Sequence, residues 1–95
     1  MAKMTKKQME TLVDFGYFQH MAEKFDGYAS KALHADDRKG FVDSLNTCYF
    51  YGDQAVKAAR KLGMTDDLID KISVSLLSWS KFHNENNYHK EQAGA

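Results

Sequence analysis

The apolar residues recur at helical spacing in three segments of the chain, and none of these segments shows the strict alternation of a β-strand. The first segment predicts a helix over residues 5–32, starting at Thr5 because Thr5 and Gln8 form a capping box. Its apolar positions fall in two stripes about half a turn apart, so we expect a bend near Gly16 or Gly27, or burial on two sides. The stripes are Met9, Leu12, Val13, Gly16 and His20, and Phe18, Met21, Phe25, Tyr28, Ala29 and Ala32.

The second segment predicts a helix over residues 37–62. Asp36 and Asp37 are both suitable N-caps, and Gly63 suits the left-handed position that follows a helix. The apolar stripe steps alternately by four and three residues, as in a coiled coil, and flanking apolar residues widen it. A wide apolar face indicates the central helix of the fold. The stripe consists of Phe41, Leu45, Cys48, Gly52, Ala55, Ala59 and Leu62.

The third segment predicts a helix over residues 65–87, followed by a frayed tail at 88–95. Thr65 is the expected N-cap, and Asp66 and Asp67 complement the positive end of the helix dipole. The expected inward stripe is Leu68, Ile69, Ile72, Leu76, Trp79 and His83 or Phe82.

Short connections between long helices favour antiparallel neighbours. We therefore predict one all-α domain over residues 1–95. It is either a three-helix antiparallel bundle or a helical hairpin with an N-terminal helix. In both cases we expect oligomerisation to complete the burial of apolar surface.

Composition narrows the class of protein further. With 95 residues and 43% hydrophobic positions, the chain is too apolar for a disordered tail and too short for a Rossmann enzyme or a barrel. Thirteen basic residues balance thirteen acidic ones, so no long-range field steers it to nucleic acid or to an anionic membrane. Cys48 is the only cysteine, which we interpret as a small buried apolar residue. Without a signal peptide or a long apolar run, the expected location is cytoplasmic.

Motifs for catalysis or metal binding are lacking in this sequence. The four histidines, His20, His34, His83 and His89, do not pair at helical spacing, and no nucleophile elbow, Cys-x-x-Cys pair or glycine-rich phosphate loop occurs. We therefore expect no enzyme activity, no metal and no cofactor.

The segment from Ala59 to Ile72 resembles a helix-turn-helix, since Ala59 precedes Gly63 by four residues and apolar residues lock the helix that follows. The resemblance implies a nucleic-acid-binding protein that uses residues 55–74. The start of the implied recognition helix is acidic, which opposes phosphate binding, so a structural corner is the favoured interpretation. The basic patch that this alternative would use is Lys57, Arg60, Lys61 and Lys71.

Several large apolar residues project away from the predicted inward stripes. They belong either to a deeper core or to a surface for a partner or a second copy, and we favour the surface. The leading hypothesis is a non-enzymatic regulator, of adaptor or inhibitor type, that binds a protein and forms homo-oligomers. Its expected interface is Phe15, Phe50, Tyr51, Val74 and Leu77. A further alternative is a nucleotide-like ligand in a pocket of Tyr17, His20, Tyr49 and Trp79.

Overall fold

The computed structural model describes the backbone of residues 3–94 and the side chains of residues 3–85. Over this range the protein is all-α, as predicted, and contains four helices where three were expected. They are α1 (Lys6–His34), α2 (Arg38–Lys61), α3 (Asp66–Ile72) and α4 (Leu76–Gly94).

Helix α1 begins at the predicted capping box and runs without a break through both glycines. The Gln8 N–H donates to the Thr5 hydroxyl at 3.1 Å, and the Thr5 N–H donates to Gln8 Oε1 at 2.8 Å. The expected burial on two sides does not occur, because α2 is the main neighbour of α1 and the stripe from Met9 to His20 is exposed. The buried residues Phe15, Ala22 and Ala29 step by seven, so one coiled-coil seam covers the length of α1.

Helix α2 is central, and α1 and α4 pack against its two flanks. Asp37 is its N-cap, with Oδ1 accepting from the Gly40 N–H at 3.0 Å, and Gly63 has the left-handed φ of 82° expected after its end. On one flank the Tyr51 ring contacts rings of α1. On the other flank Gly52 lies against Trp79 of α4.

The prediction of a single third helix over residues 65–87 is wrong, because the chain leaves the helical conformation between α3 and α4. Ser73 is extended (φ −153°, ψ 118°), and its N–H closes α3 on the carbonyl of Ile69. Serine competes for backbone hydrogen bonds and β-branched Val74 lowers helix propensity, so this segment favours a break. The predicted frayed tail at 88–95 lies outside the residues whose side chains are described. The backbone of α4 is helical to Gly94.

The core receives residues from every helix. Its buried members are Phe15, Ala55, Val56, Ala58, Ala59, Ile69 and Leu76. The molecule measures 52 × 34 × 23 Å, and its radius of gyration of 15.0 Å exceeds the ~12 Å expected for a compact domain of this length. This elongated shape leaves long lateral faces of α1 and α2 uncovered. Within the described residues, no helix has the length and apolarity that crossing a bilayer requires.

Candidate functional site

Six rings from α1 and α2 form a continuous cluster along the outside of their interface, which we call the aromatic face. Tyr51 is at its centre, with its ring centroid 6.2 Å from that of Phe18, 5.9 Å from Phe25 and 5.3 Å from Phe50. The members are Tyr17, Phe18, Phe25 and Tyr28 of α1, and Phe50 and Tyr51 of α2. The cluster reaches α4, because the Phe50 ring also contacts the His83 ring at 5.7 Å.

The aromatic face is partly exposed to solvent. Tyr17 is 53% exposed, Phe50 42% and Tyr28 41%, while the other three rings are half-buried. Exposed apolar patches and aromatic side chains are both common features of sites that bind other proteins. Its geometry suits partner binding, because half-buried neighbours already hold the exposed rings in place.

The α1 seam explains why the rings collect on one side. Small residues, Ala22 and Ala29, occupy the seam itself, so the large rings stand at its edge. Of the rings predicted to point inward, Phe18 and Phe25 are half-buried, with Phe18 packed against the core, whereas Tyr28 is 41% exposed.

The five residues predicted as an interface do not form one surface. Phe50 and Tyr51 lie on the aromatic face. The assignment of Phe15 to a partner surface is wrong, since it is 5% exposed and belongs to the core. Leu77 is half-buried and packs against the core, whereas Val74 is 81% exposed in the link between α3 and α4.

A groove between α1 and α2 continues the aromatic face toward the start of α1, and we call it the basic groove. Two open cavities of about 470 and 440 Å³ lie along it, and Phe18 lines the larger one. Its basic residues are Lys7, Lys57, Arg60 and Lys61. The groove therefore contains three of the four residues of the predicted nucleic-acid patch, while Lys71 lies apart from it on α3.

Ion pairs already neutralise part of the basic groove. Lys57 Nζ lies 3.0 Å from Asp53 Oδ2, and Arg60 Nη2 lies 3.2 Å from Asp66 Oδ1. Asp66 thus joins the start of α3 to α2, and the Thr65 hydroxyl caps α3 by accepting from the Leu68 N–H. Residues 59–72 thus form a capped corner between α2 and α3.

The predicted ligand pocket of Tyr17, His20, Tyr49 and Trp79 is not assembled in the structure. Tyr17 contacts rings on the α1 flank of α2, whereas Tyr49 contacts Phe82 and Trp79 contacts Gly52 on the α4 flank. Because α2 separates the two flanks, these side chains do not line a common cavity. His20 is exposed on α1.

Cys48 is a fully buried residue of α2. Burial, reinforced by the negative charge of Asp26, raises the pKa of its thiol to about 12. Burial is also the largest cause of the raised pKa of the neighbouring Tyr49. The thiol therefore remains protonated near neutral pH and is a poor nucleophile.

A buried polar contact fixes α4 on α2. Asp53 Oδ1 accepts hydrogen bonds from Ser80 Oγ at 2.8 Å and from Asn84 Nδ2 at 3.3 Å. Asp53 was not among the predicted site residues; the signal available in the sequence was a charged residue inside a stripe of small apolar ones. The Lys57 ammonium lies beside the other carboxylate oxygen of Asp53, Oδ2, but is not aligned to donate a hydrogen bond to it.

In the part of the chain that the structure describes, no three histidine, cysteine or acidic side chains converge as metal ligands would. Comparisons with protein-family models, curated proteins and solved structures find no match to this chain.

Proposed function

We propose that this protein is a non-enzymatic interaction protein, of adaptor or inhibitor type, that binds a protein partner through the aromatic face. The observation that carries the proposal is the unbroken series of ring contacts from Tyr28 through Tyr51 to Phe50, with three rings more than 40% exposed. Aromatic residues are enriched among interface residues that dominate binding energy.

The exposed area is large enough to matter energetically. A ring residue offers about 200 Å² of surface, so covering the exposed parts of Tyr17, Tyr28 and Phe50 removes roughly 270 Å² from water. At about 25 cal/mol per Å², the gross gain is about 7 kcal/mol before the costs of association. Contacts outside these rings must supply the rest of the affinity of a stable complex.

The test compares two variants that lose exposed apolar surface at different places. Tyr17→Ser with Phe50→Ser removes two exposed rings, and Val74→Ser is the control because Val74 is exposed away from the aromatic face. We expect affinity capture from the native cell extract to lose its co-purifying protein with the double variant and to keep it with the control. Equal capture by wild type and double variant would refute the proposal.

A second candidate function, self-association, rests on the side of α1 that faces away from α2. Met9, Val13 and Gly16 lie along one helical stripe that faces solvent, and Val13 is 71% exposed. Nothing lies within 4 Å of a Cβ built on Gly16, so a second helix could approach closely there. We expect light scattering to give the mass of a dimer for the wild type and of a monomer for Val13→Asp. A monomeric wild type at high concentration would exclude this candidate.

A further inference from the structure

We infer that the partner presents a polypeptide segment with large apolar side chains on the aromatic face and acidic side chains in the basic groove. The inference rests on the proposed function and adds the chemistry of the partner. It follows from the continuity of the two surfaces, because Phe18 contacts Tyr51 and also lines the larger cavity of the groove.

The two surfaces follow one another along the same helix. Lys7 and Thr11 line the groove near the start of α1, Phe18 is shared, and Phe25 and Tyr28 continue the rings. From Lys7 to Tyr28 the helix rises about 31 Å at 1.5 Å per residue. A helix of roughly 20 residues or an extended segment of about 10 spans this distance.

Lys7 and Lys61 supply the charge that a partner can use. Lys57 and Arg60 are already paired, and Asp14 also lines the groove. Lys7 and Lys61 line one cavity, and no ion pair among the described residues involves either of them. The first turn of α1 contains no acidic residue, so its positive dipole end reinforces the attraction for carboxylates.

The charge is better matched to an acidic polypeptide than to nucleic acid. Binding of nucleic acid gains its affinity by neutralising several phosphates, and the groove offers only two cations without an ion pair. The rings contact one another at 5.3–6.5 Å and offer edges and partial faces, which suit aliphatic and aromatic side chains more than stacked bases.

The experiment uses a defined probe, a random copolymer of glutamate and tyrosine, with polyglutamate and a thymidine oligonucleotide as comparisons. Amide chemical-shift mapping on the ¹⁵N-labelled full chain locates the contact, and titration gives the affinity. The test variant is Lys7→Glu with Lys61→Glu. The control is Lys31→Glu with Lys71→Glu, which has the same net charge and changes two exposed lysines outside the groove.

We expect the copolymer to shift amides of the groove and the aromatic face together and to bind more tightly than polyglutamate. The test variant loses two exposed ion pairs with the copolymer, so we expect its affinity to fall about fivefold. The affinity of the control should fall less than twofold. Equal weakening in both variants, no binding to the wild type, or tighter binding of the oligonucleotide would each overturn the inference.

Failure of this inference is distinguishable from failure of the proposed function. If Tyr17→Ser with Phe50→Ser abolishes partner capture while Lys7→Glu with Lys61→Glu leaves capture and copolymer binding unchanged, the aromatic face binds a partner that is not acidic. In that case the inference is wrong and the proposed function stands. If neither double variant changes capture, both are wrong.

Discussion

Gly52 is the point of closest approach between α2 and α4, and Gly52→Ala tests how tightly these helices pack. A Cβ at Gly52 would lie 2.5 Å from the Cβ of Trp79. Both atoms are positioned by their backbones, so no change of rotamer can separate them. The matched control is Gly27→Ala, because Gly27 is also inside a helix but has nothing within 4 Å of an added Cβ.

The magnitude follows from two opposing effects. Both variants gain about 0.5–1 kcal/mol because alanine favours helix over glycine. Only Gly52→Ala must move α4 by about 1 Å to restore van der Waals contact, which costs about 1–3 kcal/mol. The free energies of unfolding of the two variants should therefore differ by about 1–3 kcal/mol, with Gly52→Ala less stable.

The difference is measured by thermal unfolding, followed by circular dichroism. For a domain of this size it corresponds to melting temperatures about 4–20 °C apart. Trp79 is the only tryptophan, so its fluorescence reports directly on the contact with α2 and should change in Gly52→Ala only. If Gly52→Ala is as stable as Gly27→Ala, with unchanged fluorescence, the close packing of α2 and α4 is refuted.

Two further predictions concern the buried polar groups. Asp53→Ala leaves the side chains of Ser80 and Asn84 without their acceptor and should lower the free energy of unfolding by about 2–3 kcal/mol, measured in urea; an unchanged urea midpoint would contradict this. The pKa of Cys48 rises from 9.0 to about 12 on folding, so the folded state retains a proton that the unfolded state loses between these values. Stability should therefore fall by up to about 1.4 kcal/mol per pH unit above roughly pH 9. Cys48→Ala should show a flatter decline, and parallel pH profiles of the two proteins would count against this role.

The sequence was sufficient to locate the starts of α1, α2 and α3. The capping box at Thr5 and Gln8 and the caps at Asp37 and Thr65 all occur where residue type predicts them. The stripe of α2 was also recognised correctly, since its buried members Cys48, Gly52, Ala55 and Ala59 step by four and three. The break between α3 and α4 was missed because the apolar periodicity continues through it.

The candidate site was only partly visible in the sequence. Phe50 and Tyr51 were predicted because they lie off the apolar stripe of α2, and the sequence defines that stripe clearly. The rings of α1 were not, because α1 has two stripes of similar apolar character. Their exposure depends on which stripe α2 covers, and that contact joins residues far apart in the chain.

What the sequence by itself determined is local: helical periodicity, caps, and the turn at Gly63. These depend on hydrogen bonds and steric preferences within about four residues. The tertiary structure alone decided that Phe15 enters the core, that Val13 faces solvent, and that rings gather beside a basic groove. The physical reason is that burial gains free energy in proportion to the apolar area removed from water, whichever stripe supplies it. The choice between stripes is made only when a second helix packs against one of them.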